Sequence, residues 1–248
     1  MKVNLFKTQT PGLQSSSPSS FACLFLAVIA LVFAGCGDNA GTSGEGGGPL
    51  TDEQRFEQAV EKLGDSDSET RAKGIEDISE FKDKAKDHIG TIVGLLDDSD
   101  AKVRHAAINT LVTLEHKDPA FIEKLKAIAA EDESADTQTT ALDSLKSVGA
   151  HSEFVDACKT LLAGSDAGKR EQAAMALSQS EKPVVGAQAE LIKALEDDSP
   201  TVRYSCVVAL GNLGRDASAE AKTALQKASK DKDDSVAEVA KEALGKLN

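Results

Sequence analysis

Residues 96–114 read L-D-D-S-D-A-K-V-R-H-A-A-I-N-T-L-V-T-L, and the fold follows from that phrase. Leu96 closes an apolar run that includes Ile89, Ile92, Val93 and Leu95, and four residues from Asp97 to Asp100 break it. Asp100 reads as a helix N-cap, because its carboxylate can accept from backbone N–H groups that have no intrahelical partner. Val103, Ala106, Ala107, Ile108, Leu111 and Leu114 then recur at spacings of three and four, the mark of one buried helical face.

The same phrase returns at residues 195–213, L-E-D-D-S-P-T-V-R-Y-S-C-V-V-A-L-G-N-L. With Arg104 as anchor, its equivalents are Arg71, Gln138, Arg170, Arg203 and Ala237, and the successive steps are 33, 34, 32, 33 and 34 residues. An apolar residue follows each anchor by seven positions: Ile78, Leu111, Leu145, Leu177, Leu210 and Leu244. A capping residue precedes each by four: Asp67, Asp100, Ser134, Asp166, Ser199 and Asp233. Pro200 follows Ser199, at the helical position where a missing N–H costs nothing. Six copies of a helix–turn–helix unit account for the pattern, and such a period means a solenoid whose units bury their apolar faces only against one another. Second helices are expected near 68–81, 101–115, 135–148, 167–180, 200–213 and 234–247. Thr51 and Gln54 form a capping box for the first helix, and later first helices are expected near 85–96, 119–130, 152–163, 186–196 and 218–229.

Small apolar residues dominate and aromatics are 4% of the chain, which suits closely packed helix pairs. The net charge is -13; Lys2 and Lys7 are the only charges before Cys36, so a chain beginning there carries -15. Such a surface repels phosphate backbones and argues against a nucleic-acid partner. Cys158 and Cys206 are expected to be two free, buried thiols, since a bridge between them would cross helix layers of different units.

Residues 1–20 carry two lysines and no acid; residues 21–34 are an unbroken apolar run of 14 residues, ending in Phe33-Ala34-Gly35-Cys36. The run is short for a membrane span and fits the plan of a secretory signal. Phe33-Ala34-Gly35-Cys36 resembles the lipobox of bacterial lipoproteins; Ala34, Gly35 and Cys36 match, and Phe33 stands where the pattern has Leu. That resemblance implies a signal peptide over 1–35, lipid attachment at Cys36 and a bacterial cell-envelope location. Gly37, rather than Asp, points to an outer membrane facing the periplasm in a diderm cell. An ordinary secreted protein and an uncleaved anchor stay open. Residues 37–50 are Gly-rich and make, with Cys36, a flexible tether (36–50) for a repeat domain over 51–248.

Six positions before the anchor stand Asp65, Asp98, Asp132, Asp197 and Asp231, with Gly164 the exception. This alternation of Asp and Arg resembles HEAT repeats, and more closely the HEAT-like repeats of phycobilisome lyase proteins. The resemblance covers residues 51–248. It implies an all-α, right-handed α-α superhelix of armadillo type with six helix pairs. It also implies a ladder of charged hydrogen bonds, so that Arg71, Arg104, Arg170, Arg203, Asp65, Asp98 and Asp197 are structural, with Gln138 and Ala237 as breaks.

The residues carry no pattern for chemistry, so no catalytic residue, metal ligand or cofactor is assigned. None of His88, His105, His116 and His151 is followed by Glu, the step that holds iron in HEAT-repeat deoxyhypusine hydroxylases. The acidic runs at 97–100 and 231–234 lack the glycine and terminal Glu of a calcium loop. Surface remains. In HEAT solenoids the second helices line the concave side, where positions one and five after each anchor point outward. There the middle units place His105, Asn109, Met175, Tyr204 and Val208 between acidic ends. The expected function is a lipid-anchored, non-catalytic scaffold that docks an unidentified protein or peptide on its concave face. The alternatives are an enzyme or accessory of the lyase or hydroxylase type, and a structural spacer.

Overall fold

The computed structural model describes residues 49–247, and the signal, lipid-attachment and most of the tether assignments lie outside the described residues. The unit Pro49–Asn248 is compact, and its described residues contain helices and turns but no strand. Six helix pairs follow in order. The first is α1 (Asp52–Lys62) with α2 (Ser68–Ser79). The second joins α3 (Lys82–Ala85) and α4 (Ile89–Gly94) to α5 (Ala101–Thr113). Then come α6 (Pro119–Glu131) with α7 (Ala135–Ser147), and α8 (His151–Leu162) with α9 (Ala167–Ser178). Last are α10 (Gln188–Ala194) with α11 (Pro200–Gly211), and α12 (Ala219–Ala228) with α13 (Asp234–Lys246).

The core runs between the helices of a pair and on into the next pair. Ile78, Leu111, Leu145, Leu177 and Leu210, all seven after their anchors, are buried, while Leu244 in the last unit is only half-buried. Each fully buried side chain of this size contributes roughly 1.5–3 kcal/mol. Small residues let backbones approach: a Cβ on Gly211 would meet the Ala243 Cβ at 2.8 Å, so α11 and α13 pack against each other there only because residue 211 is glycine.

Caps mark the unit boundaries. Thr51 and Gln54 make the reciprocal capping box, and Asp67, Asp100, Ser134, Asp166 and Asp233 each accept a backbone N–H of the following helix. Ser199 differs from the expectation: its hydroxyl donates to the Glu171 carboxylate instead of capping α11. At the other ends, Glu115 and Gly149 sit at the same place after α5 and α7 with φ 57° and 84°. The next N–H in each case, His116 or Ala150, donates back to Leu111 or Leu145, which closes a Schellman motif.

Two first helices are shorter than their apolar pattern. The segment expected as one helix over 85–96 is α3, a 3-10 turn over Lys86–His88, α4, and a second 3-10 turn over Leu95–Asp97. Gly90 and Gly94 with β-branched Thr91 and Val93 weaken the α-helix there. Over 186–196 the helix is Gln188–Ala194, preceded by the 3-10 turn Val185–Ala187 that follows Pro183.

Candidate functional site

One interaction joins neighbouring units at the inner turn. Arg71 donates through Nε and Nη2 to the Asp98 carboxylate, both at 2.8 Å, and through Nη1 to the carbonyls of Asp65 and Ser66 at 2.9 and 3.0 Å. Arg104 does the same with Asp132 at 2.7 Å and with the Asp98 and Ser99 carbonyls. Arg170 pairs with Asp197, and Arg203 with Asp231. The planar fork of one guanidinium thus ties its own turn to the next unit's turn. Each acceptor carboxylate also takes the N–H two residues on, as Asp98 does from Asp100 at 2.9 Å. Asp65 belongs to this set through its carbonyl; its carboxylate takes the Asp67 N–H and meets no guanidinium, because no unit precedes it among the described residues. Asp132 and Asp231 are full members, as their spacing of six before the anchor marks them.

The rungs make stability depend on acid. Hydrogen bonding from Arg71 holds the Asp98 carboxyl below its ordinary range despite some burial, and Arg203 does so for Asp231. At Asp132 and Asp197 burial pushes the other way and is outweighed by Arg104 or Arg170 together with a backbone N–H. A lowered folded-state pKa means that the unfolded chain binds protons first. The contribution is therefore complete above the ordinary carboxylate pKa and disappears as pH falls through the lowered one. Denaturant midpoints are expected to be flat from pH 7 to about 5 and then to drop steadily towards pH 2. A midpoint unchanged at pH 3 would contradict this account.

The second helices form one face. His105, Asn109, Met175, Tyr204 and Val208 all lie on it, on α5, α9 and α11. Met175 and Tyr204 are 46% and 42% exposed, Asn109 is exposed, and His105 and Val208 are half-buried. His105 alone of the five lines a groove of about 700 Å³ across α2, α5 and α7. Its Nδ1 lies 2.9 Å from the Thr140 hydroxyl on α7, which fixes the ring against the groove wall. Ala72, Ala101, Ala106 and threonines at 137, 139 and 140 leave the space open. Glu69, Glu76 and Asp136 bring carboxylates to it; Lys102 is 2.8 Å from Glu69 and Lys73 is 2.7 Å from Asp77, whereas Asp136 enters no ion pair among the described residues.

Positions one and five after the anchor bring Ala72, His105, Thr139 and Glu76 to the groove, and of these only His105 is a candidate from the sequence. The positions two before and two after the anchor bring Glu69, Lys102, Asp136, Lys73, Ala106 and Thr140. Side chains three and four apart share a helix face, and that spacing was the available signal.

The other imidazoles pack on aromatic rings: His88 on Phe56 (centroids 5.6 Å), His116 on Phe121 (5.3 Å) and His151 on Phe154 (6.2 Å). Cys158 and Cys206 are free and buried, and burial pushes both thiols up to about 12, away from reactive thiolate. The described residues hold no group of three or more His, Cys, Asp or Glu side chains placed to bind a metal ion, and no helix among them is long and apolar enough to cross a membrane.

A family model described as HEAT repeats matches residues 56–146 and 155–245. Among solved structures, the Escherichia coli protein YibA is similar at 20% identity over 79% of this chain and 70% of its own, with a TM-score of 0.51. A designed armadillo repeat protein in complex with the peptide (KR)4 is 18% identical over 78% of this chain and 99% of its own, with a TM-score of 0.49. Human deoxyhypusine hydroxylase is 18% identical over 77% and 84%, with a TM-score of 0.33. At these identities the likeness concerns the fold. No curated protein matches the sequence.

Proposed function

The chain belongs to the HEAT-repeat family, and from that premise we propose that it is a non-catalytic docking scaffold, held at a bacterial membrane by lipid on Cys36. A repeat solenoid of this kind is suited to protein–protein interaction, because stacked helices present a long, continuous surface. The observation that carries the reading is the second-helix face. It holds an open groove under His105, and further along it exposes Met175 and Tyr204, which offer contact area, Tyr204 at low ordering cost. The partner is a protein or peptide lying along that face. The negative charge of the chain disfavours nucleic acid. The Gly-rich segment after Cys36 gives the solenoid reach from the bilayer, and two or more acyl chains make anchoring stable where one is marginal.

The test is photo-crosslinking of the full chain in cells. A crosslinker at Tyr204 on α11 is expected to trap one recurrent protein, and one at Thr160, exposed on first helix α8, to trap none. Equal yields from both positions would dismiss the second-helix face as the docking surface. Cys36→Ala is expected to move the protein from the membrane fraction to the soluble fraction with its helical content unchanged. Continued membrane retention would remove the lipid anchor from this proposal.

A further inference from the structure

The third and fourth units meet without a rung. Every other junction of the solenoid joins a guanidinium to a carboxylate: Arg71–Asp98, Arg104–Asp132, Arg170–Asp197 and Arg203–Asp231. Here Gln138 stands in the arginine position and Gly164 in the aspartate position, so both halves of the pair are missing at one place. Gln138 is fully buried, its Nε2 is 3.5 Å from the Ala130 carbonyl, and its Oε1 has no partner. Two thin contacts replace the rung. Lys169 Nζ reaches the Asp132 carbonyl at 3.3 Å, and Gln172 Nε2 reaches the exposed Thr139 hydroxyl at 2.7 Å.

Packing follows the same division. α2, α5 and α7 lie side by side in turn, and so do α9, α11 and α13, but α7 and α9 meet only sparsely. On the opposite side α6 and α8 pack closely across the same junction. The anchor step here is 32 residues, the shortest of the five.

We propose that the junction of the third and fourth units is a hinge: two three-unit blocks pivot about the α6–α8 contact and open or close the second-helix face between α7 and α9. In a solenoid each interface is a nearest-neighbour term, so an interface packed on the α6–α8 side and open between the second helices gives this junction a pivot that the others lack. The pivot changes the span between the groove under His105, in the first block, and Met175 and Tyr204, in the second. A partner that touched both would select one opening. That use rests on the docking function proposed above; the motion itself does not.

Distance distributions between spin labels test it. The chain from Pro49 on closes as one compact unit, and its native thiols, Cys158 and Cys206, are buried and unreactive. Labels go on the exposed residues five after successive anchors, so each pair spans two junctions. Glu76→Cys/Asp143→Cys lies within the first block, Met175→Cys/Glu242→Cys within the second, and Asn109→Cys/Met175→Cys crosses the gap. The crossing pair is expected to be about twice as broad as the other two. Gln138→Arg with Gly164→Asp restores the rung and is expected to narrow it to their width. A Cβ at 164 would lie 3.1 Å from the Leu161 carbonyl oxygen, so that turn must yield slightly. Should this variant not fold, Arg104→Gln with Asp132→Gly transfers the defect and is expected to broaden the Glu76/Asp143 pair. Equal widths for all three pairs in the unmodified background overturn the hinge. So does a crossing width that stays broad with the rung restored, or a first-block width that stays narrow with the defect transferred. None of these readings involves a partner, so they stand apart from the crosslinking result.

Discussion

Replacing Arg203 by Ala is expected to lower the unfolding free energy by about 3 kcal/mol or more, within the range for breaking one side of a buried ion pair. Arg203 is 3% exposed. Its guanidinium donates to both oxygens of Asp231 at 2.9 Å and to the carbonyls of Asp197 and Asp198 at 2.8 and 3.1 Å. Truncation leaves the Asp231 carboxylate, 11% exposed, with the Asp233 N–H as its hydrogen-bond donor, and strips two carbonyls of theirs. The loss comes from stranding desolvated groups rather than from the attraction itself. Arg203→Lys should recover little, since one ammonium cannot span a carboxylate and two carbonyls in the geometry of the fork. Lys102→Ala is the control: its pair with Glu69 is 2.8 Å long, but the two side chains are 69% and 74% exposed, so the midpoint should hardly move. Denaturant unfolding of the three variants decides the matter. Equal shifts for Arg203→Ala and Lys102→Ala would show that the rungs are ordinary surface pairs.

Leu111→Ala should be of similar size, about 2–5 kcal/mol, through lost apolar transfer and the cavity left behind. Leu111 is fully buried at the seventh position after its anchor, in the second unit, with units packed on both sides. Leu244 occupies the same position in the last unit and is only half-buried, because nothing follows α13 among the described residues. Leu244→Ala is expected to cost less than half as much. The comparison tests the quasi-one-dimensional account, in which an inner unit holds two interfaces and an end unit holds one. Equal costs would mean that the ends are as well packed as the middle.

Much of this was legible in the residues. The spacing of Val103, Ala107 and Leu111 already names the buried face of α5, and the capping aspartates already place the turns, because helix period and N-cap chemistry act within a few residues. Weak local propensity also explains where the reading overran: Gly90 and Gly94 shorten α4 within an unbroken apolar pattern. The groove was half legible. His105 was found by periodicity, whereas Asp136 and Lys102 contribute because three consecutive second helices stand next to one another.

By itself the sequence determined the helix pairs and their number, since caps and helical period act within a few residues, and the near-constant interval makes successive pairs stack in chain order. Which aspartate each arginine takes was decided only in three dimensions. Arg71 passes over the carboxylates of Asp65 and Asp67 nearby and pairs with that of Asp98, in the next unit. The ring of Phe56 likewise meets His88, and Gln138 Oε1 finds neither partner nor water-facing surface. These outcomes depend on where stacked units place groups that lie about thirty residues apart, and no local rule of helix formation specifies that distance.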